Sequence, residues 1–383
     1  MRIAFYAPLK PPDHPSPSGD RRMARLIMAA LEAAGHEIQL ASKFRSYDGA
    51  GNENTQKRLQ AQGDKLAKQL IQNFKVQPRN LQPQLWLTYH LYHKAPDHLG
   101  PSVSEALGIP YVIAEASHAP KQEHGPWALG YRLARDAIQR ADLILSVNTN
   151  DDPCVAQVIE DPSKIVRLAP FLDVSPYVTA HANRDRHRRA LAERHGLDAG
   201  EPWLLCVAMM RPGDKLKSYR VLGDSLSRLK EKRWRILIAG DGEARSDVEA
   251  ALAGILDRVT FLGRQDADAL PALYAASDLY VWPSINEAYG MALLEAQAAG
   301  VPVIAGRTGG VPDIVADGET GLLAAVGDAG AFAAAVKSLL EDTDMRSILS
   351  STAISRTQAG HGLQTASTFL DAALRAILKE TPA

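Results

Sequence analysis

Two glutamates eight positions apart, Glu287 and Glu295, flank the pair Gly290-Met291. A carboxylate is a double acceptor suited to the vicinal hydroxyls of a sugar or a ribose. If the segment between them were helical throughout, the two groups would lie roughly 12 Å apart along the axis. That is too far for both to act on one anomeric carbon, and it disfavours a glycosidase pair, whose carboxyls flank one bond at about 5 to 10 Å. One acid for ribose and one for a sugar, on a single elongated ligand, is the sharper division; two solvated helix residues are the plainer one. A short apolar run at 303–305 then leads into Thr308-Gly309-Gly310-Val311-Pro312. Its glycines permit close backbone approach, and Pro312 marks a helix start whose free amides suit a diphosphate. Taken singly, an ordinary βα turn explains the same residues equally well. Arg211, Lys215 and Lys217 follow another apolar run at 203–209, where strand ends open into a ligand crevice. Cations there neutralise a departing diphosphate, although a solitary loop charge run is usually solvated surface.

The elements that must carry these residues alternate between short apolar runs and longer amphipathic ones, the pattern of parallel sheets covered by helices. In the first half, strands are expected at 3–7, 37–41, 85–89, 111–114 and 143–147, with helices at 21–34 and 127–139. In the second, strands are expected at 203–209, 235–239, 259–262, 279–282 and 303–305. The polar, turn-rich stretch 170–189 reads as the hinge. The expected fold class is therefore α/β with two Rossmann-like domains: 1–172, and 173–363 with the nucleotide-sugar residues. A terminal helix at 364–379 carries Leu370, Leu374 and Ile377 at helical spacing and must pack somewhere.

The 383 residues suffice for two cores, and a formal net charge of -1 gives no bulk electrostatic reason to expect nucleic acid as partner. Cys154 and Cys206 stand far apart without zinc spacing, so no disulfide framework is indicated and a reducing compartment fits. The opening residues read as a first strand and not as a signal peptide. No apolar stretch approaches the roughly 20 residues that span a bilayer.

The order of a strand followed by Arg211-(x)5-Lys217, then Gly240-Asp-Gly242, then Phe-Leu-Gly263, Glu287-(x)7-Glu295 and Gly309-Gly310 resembles the retaining GT-B glycosyltransferases of family 4, the group 1 glycosyl transferases. The likeness covers the second half and, more weakly, the first. It implies GT-B architecture, two Rossmann-like domains facing across a cleft, with the segment 364–383 packed back on the acceptor domain. Glu287, the stretch Ala288-Tyr289-Gly290-Met291 and the amides within it would meet the donor sugar, and Glu295 the ribose diol. Arg211 with Lys217 or Lys215 would bind the phosphates, Gly309 and Gly310 would add amides, and Gly263-Arg264 would meet the base. Ser18-Gly19-Asp20 resembles the family's glycine loop, and His118 its cleft histidine, although a lone histidine is more often structural. The implied catalytic set is His118, Glu287, Arg211 and Lys217. The departures are Ala288 in place of glycine, an atypical phosphate loop, and Pro170-Phe-Leu-Asp173 in place of Asn-Gly-Val-Asp.

The resemblance implies a hexosyltransferase taking a nucleotide-diphosphate sugar and a hydroxyl acceptor of glycan, glycolipid or small-molecule type, with no cofactor and no metal. Its setting would be cytoplasmic, with peripheral contact at the inner face of a membrane. An epimerase or phosphorylase of the same architecture, or a non-catalytic nucleotide-sugar-binding protein, are the alternatives. Asp266-Ala-Asp268 and Asp342-Thr-Asp344 imitate a metal-binding DxD but precede helical patterns and read as caps. His90, His93 and His98 fit no standard zinc spacing. The segment 55–75 sets Leu59, Leu66, Leu70, Ile71 and Phe74 among Lys57, Arg58, Lys65 and Lys68, and reads as a packing helix before a membrane-surface one; Gly63 weakens both.

Overall fold

The computed structural model describes residues 1–16, 18–287 and 290–380. The chain forms two compact units, Met1–Ala169 joined by the segment from Leu363 onward, and Pro170–Gly362. Each unit is a parallel sheet buried between helices.

The first sheet contains β1 (Arg2–Tyr6), β2 (Glu37–Ser42), β3 (Leu85–Leu91), β4 (Tyr111–Ala116), β5 (Leu143–Ser146) and β6 (Ile165–Arg167), in the order β2-β1-β3-β4-β5-β6. All neighbours are parallel. Strands covered on both faces have to be apolar on both, which is why β1 and β5 read as continuous runs in place of alternating ones. The order turns back between β1 and β3, so the crevice of this unit opens at the ends of those strands. The helix Gly19–Ala33 is capped by Ser18, whose hydroxyl accepts the Arg21 N–H at 3.2 Å. The terminal helix Leu363–Glu380 lies against it, with Leu370 and Leu374 fully buried and Asp371 3.1 Å from the buried His36. Gly63, in the middle of the helix Glu53–Lys75, has a packing reason: a Cβ there would stand 2.3 Å from His98 Cβ. Buried Asp97 is satisfied by four donors, Thr88 Oγ1 at 2.5 Å, Tyr111 Oη at 2.9 Å and the Leu99 and Gly100 amides at 2.8 Å each.

The second sheet contains β7 (Trp203–Val207), β8 (Arg235–Ala239), β9 (Val259–Gly263), β10 (Leu279–Trp282), β11 (Val303–Gly306) and β12 (Gly321–Ala324), ordered β12-β11-β10-β7-β8-β9 with parallel neighbours. Counted from β7, this is the 3-2-1-4-5-6 order of a dinucleotide-binding sheet, with its switch point between β7 and β10.

The units part at Ala169/Pro170, the start of the stretch 170–189, and the rest of that stretch enters the helices Ser175–Ala182 and Arg184–His195 of the second unit. Arg184 donates to the carbonyls of Ala275 and Ser277 at 2.5 Å each, and Arg188 to that of Ala276 at 2.7 Å, capping the helix Leu270–Ala276. Both also pair with Asp278, and Arg188 lies 4.2 Å from the centre of the Trp203 ring.

Candidate functional site

At the β7/β10 switch point two loops converge, 208–213 after β7 and 283–287 after β10. Gly240 and Gly242 at the end of β8 let the first loop lie close. Their φ values of 148° and 155° suit glycine alone, and a Cβ at either would meet the carbonyl of Ala208 at 1.9 Å or of Met210 at 2.2 Å. The motif Gly240-Asp-Gly242 therefore serves backbone packing. The second loop is stitched to the helix Asp214–Ser227. The Ser218 hydroxyl donates to Asp214 O at 2.9 Å and accepts the Ile285 N–H at 3.1 Å, while Asn286 Nδ2 donates to Asp214 Oδ2 at 3.1 Å.

These stitches bring a cation and a carboxylate together. Lys215 Nζ donates to Glu287 Oε2 at 2.6 Å, with 28% and 19% of the two side chains exposed. Trp282, the last residue of β10, donates its indole N–H to the same oxygen at 3.3 Å, and its ring centre lies 5.2 Å from Lys215 Nζ. Edge-on contact with Tyr219 at 5.1 Å fixes the indole. Lys217 points elsewhere, 3.1 Å from Asp214 Oδ1, and Asn286 together with Lys217 holds the Asp214 carboxyl below its usual range. Arg211 is exposed in the loop before them. Trp282, Ser218, Asp214 and Asn286 escaped the sequence reading. Only the position of Trp282 at a strand end could have signalled it.

The two glutamates are not on one continuous helix. Gly290 takes a left-handed conformation, φ 70° and ψ 53°, and the helix begins at Met291, so the 12 Å helical spacing does not describe them. Glu287 lies in the loop and Glu295 in the helix Met291–Ala298, 3% exposed, where its Oε2 accepts the Tyr274 hydroxyl at 2.9 Å. Ala288 and Tyr289, the expected sugar contacts beside Gly290 and Met291, lie outside the described residues. Gly309 and Gly310 precede a single turn, Val311–Ile314, and Gly309 has φ 49°. Gly263 ends β9 at φ 66°, with its carbonyl accepting the Gly240 N–H at 2.8 Å, and Arg264 after it is exposed. Of the two DxD mimics, Asp342 caps a helix by accepting the Met345 N–H at 2.8 Å, whereas the helix after Asp266 starts at Leu270 without a side-chain cap. No trio of His, Cys, Asp or Glu among the described residues is arranged to hold a metal.

In the first unit, Gly19 is the exposed first residue of its helix. His118 is 6% exposed, its Nδ1 3.1 Å from the Cys154 carbonyl and its Nε2 3.1 Å from Tyr131 Oη. A carbonyl can only accept, so the proton sits on Nδ1 and Nε2 accepts from Tyr131 in the neutral ring. Burial, against the bond to Cys154, holds its pKa below the ordinary value. The unit also gathers a group that the sequence did not announce: His90 Nδ1 lies 3.0 Å from Asp20 Oδ1 and 3.8 Å from Glu115 Oε1 at the crevice end of the sheet. Both His90 and Glu115 hold positive φ, 59° and 63°. Burial alone would lower the His90 pKa, but the charges of Glu115 and Asp20 raise it.

Residues 201–342 match the model of the glycosyl transferases group 1 family. Within the second unit, residues 201–342 form a group 1 glycosyl transferase domain. A D-inositol 3-phosphate glycosyltransferase of Rhodococcus jostii is 37% identical over 192 residues, 47% of this chain and 40% of that protein. The chain spans about half the length of the curated relatives it matches. A glycosyltransferase from Rickettsia africae superposes over 99% of this chain and 98% of its own, with a TM-score of 0.76 at 17% identity. Anabaena Alr3699/HepE in complex with UDP and glucose covers 98% of this chain and 100% of its own, with a TM-score of 0.71 at 19% identity. At such identities these structures establish the fold, α/β with the two Rossmann-like units of GT-B architecture. The group 1 domain holds its Lys215–Glu287 pair where such a fold places ligands.

Proposed function

We propose that the chain is a glycosyltransferase that takes a nucleoside-diphosphate hexose in its second unit and passes the sugar to a hydroxyl acceptor with retention of configuration. The observation that carries this reading is the Lys215–Glu287 pair at the β7/β10 switch point, a phosphate-type cation beside a hydroxyl-type acceptor. The curated relatives, named glycosyltransferases, and the neighbour solved with UDP and glucose support the donor class.

Arg211 and Lys215, with Lys217 beside them, stabilise the leaving diphosphate as the C1–O bond breaks. The acceptor hydroxyl attacks from the same face, its oxygen bonding to C1 while its proton passes to the departing phosphate oxygen. Glu287 and the backbone at Gly290 hold the sugar hydroxyls, Glu295 takes the ribose diol, and Gly263, Arg264, Gly309 and Gly310 complete the donor contacts. His118 and Gly19 enter through the family resemblance alone. The scheme needs no metal, because side-chain cations carry the charge. No helix among the described residues is long and apolar enough to cross a membrane. Peripheral contact with a membrane surface, through the exposed Lys57, Arg58, Lys65 and Lys68, is part of the proposal.

The test is a thermal-shift panel of UDP, GDP, ADP and TDP with their glucose, mannose and N-acetylglucosamine forms, without added metal. One nucleotide family should raise the melting temperature of the wild type, and Glu295→Ala should lose that rise. A panel without any stabiliser would sink the reading.

A further inference from the structure

We propose that Glu287 is the internal counter-ion of Lys215, and that a donor's diphosphate enters by taking this lysine from it. The inference rests on the reading of the second unit as a nucleotide-sugar site. Lys215 is not free in this structure: its ammonium sits 2.6 Å from Glu287 Oε2. The neighbouring carboxylate, Asp214, is already engaged by Asn286 and Lys217, so Glu287 is the carboxylate paired with Lys215. Trp282 steadies the pair from both sides, with its indole N–H on Glu287 and its ring near Lys215 Nζ.

An incoming diphosphate must replace Glu287 as the partner of Lys215, and the carboxylate released then needs donors. A sugar nucleotide brings hydroxyls that supply them. A nucleoside diphosphate without its sugar keeps only ribose hydroxyls, which the proposed site gives to Glu295, and leaves Glu287 half-buried without a counter-ion, which is costly. The pair therefore favours the loaded donor over the spent one, and its re-formation after transfer helps expel the nucleoside diphosphate.

The experiment measures, by titration calorimetry on the full chain, the affinity for UDP, GDP, ADP and TDP in the wild type, Glu287→Gln, Lys215→Met and the double variant. For the best-binding nucleotide, Glu287→Gln should tighten binding roughly threefold to tenfold, since the lysine no longer has to leave a partner. Glu287→Ala should shift it in the same direction. Lys215→Met should weaken binding, and adding Glu287→Gln to it should change nothing further. Binding that is unchanged or weaker in both Glu287 variants overturns the proposal. Tightening that persists in the Lys215→Met background also overturns it, because Glu287 would then act by direct repulsion of phosphate. If the wild type binds none of the four nucleotides, the proposed function falls with it; if it binds and the variants fail to respond as stated, only the counter-ion role falls.

Discussion

Replacing Tyr274 with phenylalanine removes one hydroxyl from the floor of the proposed ribose site and leaves its packing in place. The ring stands 6.0 Å from Tyr177 and 5.8 Å from Tyr280, contacts that Phe retains. The lost O–H donates at 2.9 Å to Glu295 Oε2, on a residue 3% exposed. A hydrogen bond to a charged acceptor is worth about 1.5–3 kcal/mol. In a unit the length of Pro170–Gly362 each kcal/mol moves the melting temperature by about 2–4 °C, so a loss near 2 kcal/mol predicts a fall of about 4–8 °C. Thermal unfolding followed by circular dichroism, with the ligand-free protein, measures that term. Calorimetric titration with the stabilising nucleotide measures the second consequence. If the hydroxyl also aims Glu295 at a ribose diol, affinity falls by about tenfold, the equivalent of 1.4 kcal/mol. A melting temperature unchanged within about 1 °C would refute the assigned worth of the bond. A lowered melting temperature with unchanged affinity would make Glu295 a core carboxylate and remove it from the donor site.

Other perturbations have equally definite outcomes. Burial pushes the His98 pKa down to about 4, below an unfolded value of about 6.5. Between these values the unfolded chain binds a proton that the folded one refuses, so stability falls as the pH drops. At pH 5 the loss is about 2 kcal/mol, and urea midpoints at pH 7 and pH 5 should show His98→Phe to be less acid-sensitive than the wild type. Gly240→Ala would force a Cβ to within 1.9 Å of the Ala208 carbonyl at φ 148°. It should cost at least about 2 kcal/mol in denaturant melts and weaken nucleotide binding, because the displaced loop carries Arg211. Asp278→Ala would leave Arg184 and Arg188 without their carboxylate counter-ion and the Trp203 amide without its 2.7 Å acceptor. With side chains 13–30% exposed, the loss should be about 2–4 kcal/mol, and nucleotide affinity measured below the melting temperature should stay unchanged.

The alternation of apolar runs made both sheets legible, because parallel strands buried on two faces carry few polar positions to blur them. β6 and β12 went unread: three and four residues are too short to show a period. The stretch 170–189 reads as turn-rich because of its prolines and polar residues, and the carbonyls that Arg184 and Arg188 find are supplied only by the tertiary fold. Gly63 looked like a helix weakness, and its cause is His98, a residue remote in sequence. At the site, residue types pointed to Glu287 and Lys215, but the roles of Lys215 and Lys217 could not be separated by spacing. Packing separates their partners, giving Glu287 to one and Asp214 to the other. The Asp20–His90–Glu115 group was hidden because three different elements contribute to it.

The most direct test of a nucleotide-sugar transferase built on Lys215 and Glu287 is a proton NMR time course. The α-linked sugar nucleotide that stabilises the full chain would be followed with a panel of hydroxyl acceptors, using the wild type and Lys215→Met. Consumption of the donor by the wild type, with a new α-anomeric signal and at least about tenfold slower turnover in the variant, is the predicted result. No consumption, a β-anomeric product, or equal rates in the two proteins would contradict it.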